Sequence, residues 1–82
     1  MTIQSYTGTI SAPEWATVSS LTGVTFTSGK TFNLYVLGQC EFKVGDAIIP
    51  AFNRQVFYDP AVGDLYIKTG AITCRLTILE NA

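Results

Sequence analysis

Three stretches of this chain alternate apolar and polar residues with a period of two, and that pattern confines it to β structure. Phe32, Leu34 and Val36 share one side of an extended segment, with Asn33 and Tyr35 on the other. Cys40, Phe42 and Val44 then alternate with Glu41 and Lys43, and near the end Ile72, Cys74, Leu76 and Ile78 alternate with Thr73, Arg75 and Thr77. Successive side chains of a strand point to opposite faces, so each stretch presents one apolar face for burial. No window carries a helical stripe. The best helical candidate is Ser11–Thr17, where Ser11 suits a cap and Pro13 a first turn, and it supports one turn at most.

The rest of the chain reads as short strands between turn signals. Thr2–Ile10 is rich in Thr, Ile and Tyr and is stopped by Pro13. Val24–Phe26 is a short strand closed by Ser28-Gly29, and Gly45-Asp46 opens a turn. Ile48-Ile49-Pro50 belongs to an edge strand or a loop, because proline cannot donate to a ladder. Gln55–Tyr58 is a strand ended by Asp59-Pro60, and Val62-Gly63-Asp64 is another turn. Matching apolar faces gives two hairpins. In the first, Val36 faces Cys40, Leu34 faces Phe42 and Phe32 faces Val44, around a Leu37-Gly38-Gln39 loop. In the second, Ile67 faces Ile72 and Leu65 faces Cys74, around Lys68–Ala71. The expected architecture is all-β: one domain over residues 1–82, a compact antiparallel sandwich or small barrel of about seven to eight short strands.

Charged residues make up 13% of the chain, about half the usual share, while apolar residues reach 48%. A domain of 82 residues buries only about 60% of the surface its unfolded chain exposes, so the apolar surplus needs a destination. It is either diluted in a neutral Thr- and Ser-rich surface or used as an interface, and the interface reading favours a homo-oligomer or an assembly subunit. Five basic residues, Lys30, Lys43, Arg54, Lys68 and Arg75, are scattered along a chain of net charge −1, which argues against a nucleic-acid partner. No apolar run approaches the roughly 18–20 residues of a membrane span, and the N-terminus lacks the pattern of a signal peptide, so no membrane partner is expected and synthesis is expected in a cytosol.

The chain offers little catalytic chemistry. It contains no His, so the commonest general base and metal ligand is missing. Its glycines stand singly, and no phosphate loop or nucleophile elbow occurs. Cys40 and Cys74 lie on apolar-facing strand positions and read as two small core residues; a disulfide formed in an oxidising medium is the alternative. Asp46, Asp59 and Asp64 flank Gly or Pro and read as turn residues, with a calcium site at Asp59 and Asp64 a weaker alternative. No enzyme activity, catalytic residue, cofactor or metal is expected. The aromatic residues Trp15, Tyr35, Phe52, Phe57, Tyr58 and Tyr66 are the candidate interface residues. They compete with ordinary sheet surface and with a sugar-stacking platform, and Phe57-Tyr58 with packing under their own turn. Phe32 and Phe42 belong to the core.

The order of several short motifs resembles that of small bacteriophage virion proteins. These are Trp15-Ala16-Thr17-Val18 leading to Leu21-Thr22-Gly23-Val24, the strand Thr31-Phe32-Asn33-Leu34, the unit Phe42-Lys43-Val44-Gly45-Asp46-Ala47, and Gly63-Asp64-Leu65-Tyr66-Ile67-Lys68 before a final alternating strand. The likeness spans roughly Trp15 to Ile78. The two cysteines and the Ile48–Arg54 segment depart from it, and it transfers no functional residue. It implies a small β-rich virion component, synthesised in the host cytoplasm. The expected role is a capsid decoration or cement protein that binds and stabilises the outer capsid surface. Its expected partners are the major capsid protein or other virion proteins, with a homo-oligomer, by guess a trimer. The alternative is a tail, neck or fibre component acting as a receptor- or carbohydrate-binding module.

Overall fold

A computed structural model describes residues 3–81. Eight strands form: β1 (Ser5–Ile10), β2 (Ala16–Thr17), β3 (Phe32–Leu37), β4 (Gln39–Val44), β5 (Ala47–Phe52), β6 (Gln55–Tyr58), β7 (Leu65–Lys68) and β8 (Cys74–Glu80). One short helix, α1 (Val18–Thr22), follows β2, and a 3-10 turn spans Pro60–Val62. The strands divide into two four-stranded antiparallel sheets. One has the order β1-β8-β3-β6 and is called the β1 sheet; the other has the order β2-β7-β4-β5 and is called the β4 sheet. The arrangement is a β-sandwich, one of the two architectures, sandwich or small barrel, that the alternation allows.

The alternation assigns inward residues correctly, with Ile72 the exception. Phe32, Leu34, Val36, Cys40, Phe42, Leu65, Ile67, Cys74, Leu76 and Ile78 are all buried in one core, with Val44 packed against it. Phe32, Leu34, Phe42, Ile67, Leu76 and Ile78 are among the largest side chains fully removed from water. Each contributes about 1.5–3 kcal/mol of transfer free energy.

Neither hairpin forms, however. β3 pairs with β8 and β6, whereas β4 pairs with β5 and β7. Leu34 therefore sits beside Ile78 and Val56, not Phe42, and Phe42 sits beside Ile49 and Ile67. The same holds at the other site: β7 belongs to the β4 sheet and β8 to the β1 sheet, so Leu65 lies beside Val44 and Cys74 beside Ile10. The physical reason is that matched apolar faces are buried equally well when they face each other across a core. Between β3 and β4 only Gly38 is available, at φ 106, too short for a hairpin loop and suited to a corner. Between β7 and β8 the chain leaves the sheet at Thr69, whose N–H donates to the Ala12 carbonyl (2.7 Å) while its Oγ1 accepts from the Ala12 N–H (2.9 Å). Ile72, expected inward, is 50% exposed on that connection.

The one hairpin between consecutive strands is β4–β5. Val44 pairs with Ala47 around Gly45-Asp46, and Gly45 takes the positive φ (58) that a glycine-first two-residue turn requires. β5 is an edge strand carrying Pro50, as the proline indicated. Three smaller expectations need correction. Val24–Phe26 is irregular, because Phe26 is spent packing edge-on against Phe32 and Tyr58, with ring centroids 4.9 and 5.0 Å away. The single helical turn falls at Val18–Thr22, beyond Ser11–Thr17, and is stopped by Gly23 in the left-handed conformation. The first strand begins at Ser5; its expected first residue, Thr2, lies outside the described residues.

Candidate functional site: the two outer sheet faces

Outward positions follow from the same two-residue period, and the two outer faces differ. On the β1 sheet they are Ser5, Thr7 and Thr9 of β1, Arg75, Thr77 and Leu79 of β8, Asn33, Tyr35 and Leu37 of β3, and Gln55 and Phe57 of β6. Arg75 alone among these is charged. Leu37 and Phe57 are 62% and 63% exposed, and Tyr35 and Leu79 are exposed as well. Pairing in register sets Asn33 between Leu79 and Phe57, Tyr35 between Thr77 and Gln55, and Leu37 beside Arg75. The amides on this face bond to one another. Gln55 Nε2 donates to Asn33 Oδ1 (2.9 Å), Asn33 Nδ2 donates to Asn81 Oδ1 (2.9 Å), and Asn81 Nδ2 donates to Thr31 Oγ1 (3.1 Å). The polar groups between the apolar side chains are thus partly self-satisfied, which lowers the cost of excluding water from the face.

The outer face of the β4 sheet is mixed: Gln39, Glu41 and Lys43 of β4, Ile48, Pro50 and Phe52 of β5, and Tyr66 and Lys68 of β7 point outward, with Glu41 directly opposite Lys68. Trp15 adjoins Ala16, which pairs with Ile67, and the indole lies beside the lysines of β4 and β7: Lys43 Nζ is 5.7 Å and Lys68 Nζ 5.9 Å from the ring centroid. Tyr66 stands between Thr17 and Lys43, half-buried. Two of the five basic residues, 25 positions apart in the chain, are therefore neighbours. Sequence spacing carries no trace of this, because strand order decides it.

Of the six candidate aromatic residues, the fold gathers Tyr35 and Phe57 on the β1 face and Trp15 and Tyr66 on the β4 face. Phe52 is exposed at the end of β5. Tyr58 is only 4% exposed, so it offers almost no surface to a partner. Its hydroxyl donates to the Gly63 carbonyl at 2.6 Å, packing it under its own turn. Leu37 and Leu79 were not among the candidates, although they are as prominent as Tyr35. The signal for Leu37 is its spacing of two from Tyr35, masked by its assignment to a hairpin loop.

Among the described residues no three of His, Cys, Asp and Glu converge as a metal-binding set. Asp59 accepts from the Ala61 N–H at 3.0 Å, capping the 3-10 turn as a turn residue does. Cys40 and Cys74 are free and buried. Contact with Cys74, and then burial, push the Cys40 thiol far above its ordinary range, which suits a core residue better than a nucleophile. An open groove of about 550 Å³ runs between α1 and the 3-10 turn, lined by hydroxyls including those of Thr17, Ser20, Thr25 and Ser28. The Thr17 and Ser20 hydroxyls bond to each other at 2.7 Å.

Burial, and then the carboxylates of Asp64 and Asp59, raise the Tyr58 phenol above its ordinary value of 10.0. A raised folded-state value stabilises the fold fully below the unfolded value and loses that contribution as pH rises through the folded one. Thermal melts should therefore show a steeper fall in stability above pH 10 for the wild type than for Tyr58→Phe. At neutral pH the variant should lose about 1 kcal/mol, from the Gly63 hydrogen bond.

Comparison with protein-family models, with curated proteins and with solved structures gave no match. The fold thus defines a class, a small β-sandwich whose β1 sheet presents an outer face with a single charged residue, and no family beyond that.

Proposed function

We propose that this chain is a virion structural protein, a capsid decoration or cement protein that docks on the outer capsid surface through the outer face of the β1 sheet. The observation that carries the docking role is the set of exposed side chains Tyr35, Leu37, Phe57 and Leu79 on one sheet, with a single charge among the outward positions of its strands. Apolar and aromatic side chains surrounded by neutral groups can be covered by a partner at little desolvation cost. The virion assignment itself rests on the order of motifs from Trp15 to Ile78, and the capsid assignment on small size and low charge.

The test is co-sedimentation with empty capsid shells assembled from the major capsid protein of the same genome. The wild type should pellet with the shells. A Leu37→Asp, Phe57→Asp double variant should stay in the supernatant with its melting temperature nearly unchanged, because both side chains are exposed. A wild type that fails to pellet, or a double variant that pellets equally well, overturns the proposal. A second reading, a receptor- or glycan-binding module of the tail or neck, is favoured by Trp15 between Lys43 and Lys68, which suits an acidic sugar. Binding to sialylated or sulfated glycans that is lost on Trp15→Ala would select it.

A further inference from the structure

The two sheets have four edges, and three of them are blunted. β5 carries Pro50, β6 has only four residues, and β2 has two and runs directly into α1. β1 is different. It is a six-residue edge strand, Ser-Tyr-Thr-Gly-Thr-Ile, with no proline and no charge, and no described strand lies beyond it. Monomeric sheet proteins protect such edges with charges, prolines or short strands, since an open ladder pairs with other chains.

Its free backbone groups can be identified. The Glu80 N–H donates to the Gln4 carbonyl at 3.0 Å, so Gln4 and Glu80 form a hydrogen-bonded pair. Such pairs alternate along an antiparallel ladder. Tyr6, Gly8 and Ile10 therefore turn their backbone groups toward β8, and Ser5, Thr7 and Thr9 turn theirs outward. The side chains of Ser5, Thr7 and Thr9 lie on the outer face and those of Tyr6 and Ile10 on the core side.

We propose that β1 pairs antiparallel with β1 of a second copy of this chain across a two-fold axis at Thr7, fusing two β1 sheets into one. The strand is self-complementary about that axis. Directly opposed residues share a face, and a two-fold axis perpendicular to the sheet keeps both cores on one side, so the register must pair odd positions with odd. Centred on Thr7, it sets Thr7 against the partner's Thr7 and Ser5 against the partner's Thr9. These are the residues whose N–H and C=O point outward, and each pair exchanges two backbone hydrogen bonds. The opposed side chains are hydroxyls, and they extend the existing contact of Thr7 Oγ1 with Thr77 Oγ1 at 3.3 Å. On the core side Tyr6 faces the partner's Gly8, and each Gly8 is covered by the Tyr6 ring of its own chain. No charge opposes its own image. The pairing does not rest on the virion reading; capsid binding can fail while the dimer stands.

Sedimentation equilibrium over a wide dilution series tests it, and the wild type should form a dimer. Thr7→Pro removes an N–H that points away from β8, so it leaves the β1–β8 ladder whole and should give a folded monomer. Thr7→Cys should form a covalent dimer on mild oxidation, because hydrogen-bonded antiparallel partners have Cα atoms about 5.5 Å apart, within disulfide range, whereas Ser28→Cys on an exposed loop should not. Amide exchange of wild-type Ser5, Thr7 and Thr9 should slow as concentration rises, a readout independent of whether Thr7→Pro folds. A wild type that is monomeric throughout, a trimer, or concentration-independent exchange at these three amides overturns the proposal.

Discussion

Phe42→Ala is expected to remove a large share of the stability of the fold at 25 °C. Phe42 is completely buried in the middle of β4, with Ile49 and Ile67 beside it in the sheet. Truncating a buried phenylalanine costs about 3–5 kcal/mol, from the lost transfer energy and the cavity left behind. A domain of 82 residues holds about 4–12 kcal/mol in total. The loss is therefore a large share of that margin, and a two-sheet core cannot collapse to fill the gap without separating strands whose register is fixed on both sides. Urea titration followed by circular dichroism measures it, with the midpoint moving far toward lower denaturant. Phe57→Ala, equally aromatic but 63% exposed on the outer face, should shift the midpoint only slightly. A pair of equal shifts would contradict the assignment of inner and outer faces.

Gly38→Val is expected to have the next largest effect, and to act through the backbone. Gly38 turns the chain from the β1 sheet into the β4 sheet at φ 106, a conformation side chains rarely adopt. Its N–H donates to Asn53 Oδ1 (2.8 Å) and its carbonyl accepts from the Asn53 N–H (3.1 Å). Asn53 itself has a positive φ of 48 where β5 gives way to β6, so two sheet-changing corners are tied together at one point. A side chain at position 38 pays about 1–3 kcal/mol of strain. A Cβ there would stand 3.4 Å from Cα and Cβ of Cys74, and the valine methyls would add an overpacking cost of about 1–3 kcal/mol. Gly29→Ala separates the two contributions, because Gly29 has a φ of 88 with open space around it and reports backbone strain alone. Chemical denaturation should rank the variants with Gly38→Val far below Gly29→Ala.

The candidate interface was only partly legible. Tyr35 and Phe57 could be singled out as aromatic residues, but their company on one face with Leu37 and Leu79 depends on β3 lying between β6 and β8, strands separated in the chain by 15 residues. Tyr58, next to Phe57 and chemically similar, went inside because adjacent strand residues face opposite ways and its hydroxyl found Gly63. The open edge of β1 likewise emerges only from strand order. The sequence Ser5–Ile10 reads as an ordinary neutral strand until no described strand is found beyond it.

The alternation of apolar and polar residues by itself determined that the chain is all-β and which side of its most regular strands is buried, whereas the choice of a sandwich over a small barrel came with the strand pairing. Phe32, Leu34 and Val36, and equally Cys40, Phe42 and Val44, point inward in any arrangement that removes them from water. Tertiary structure alone decided which strands are neighbours. Burial of an apolar face is satisfied as well by a partner across the core as by one alongside in the same sheet, so hydrophobic matching cannot choose between them. Connection geometry makes the choice. A single glycine forces a corner between β3 and β4, Thr69 bonded to Ala12 draws β7 away from β8, and only Gly45-Asp46 closes a hairpin.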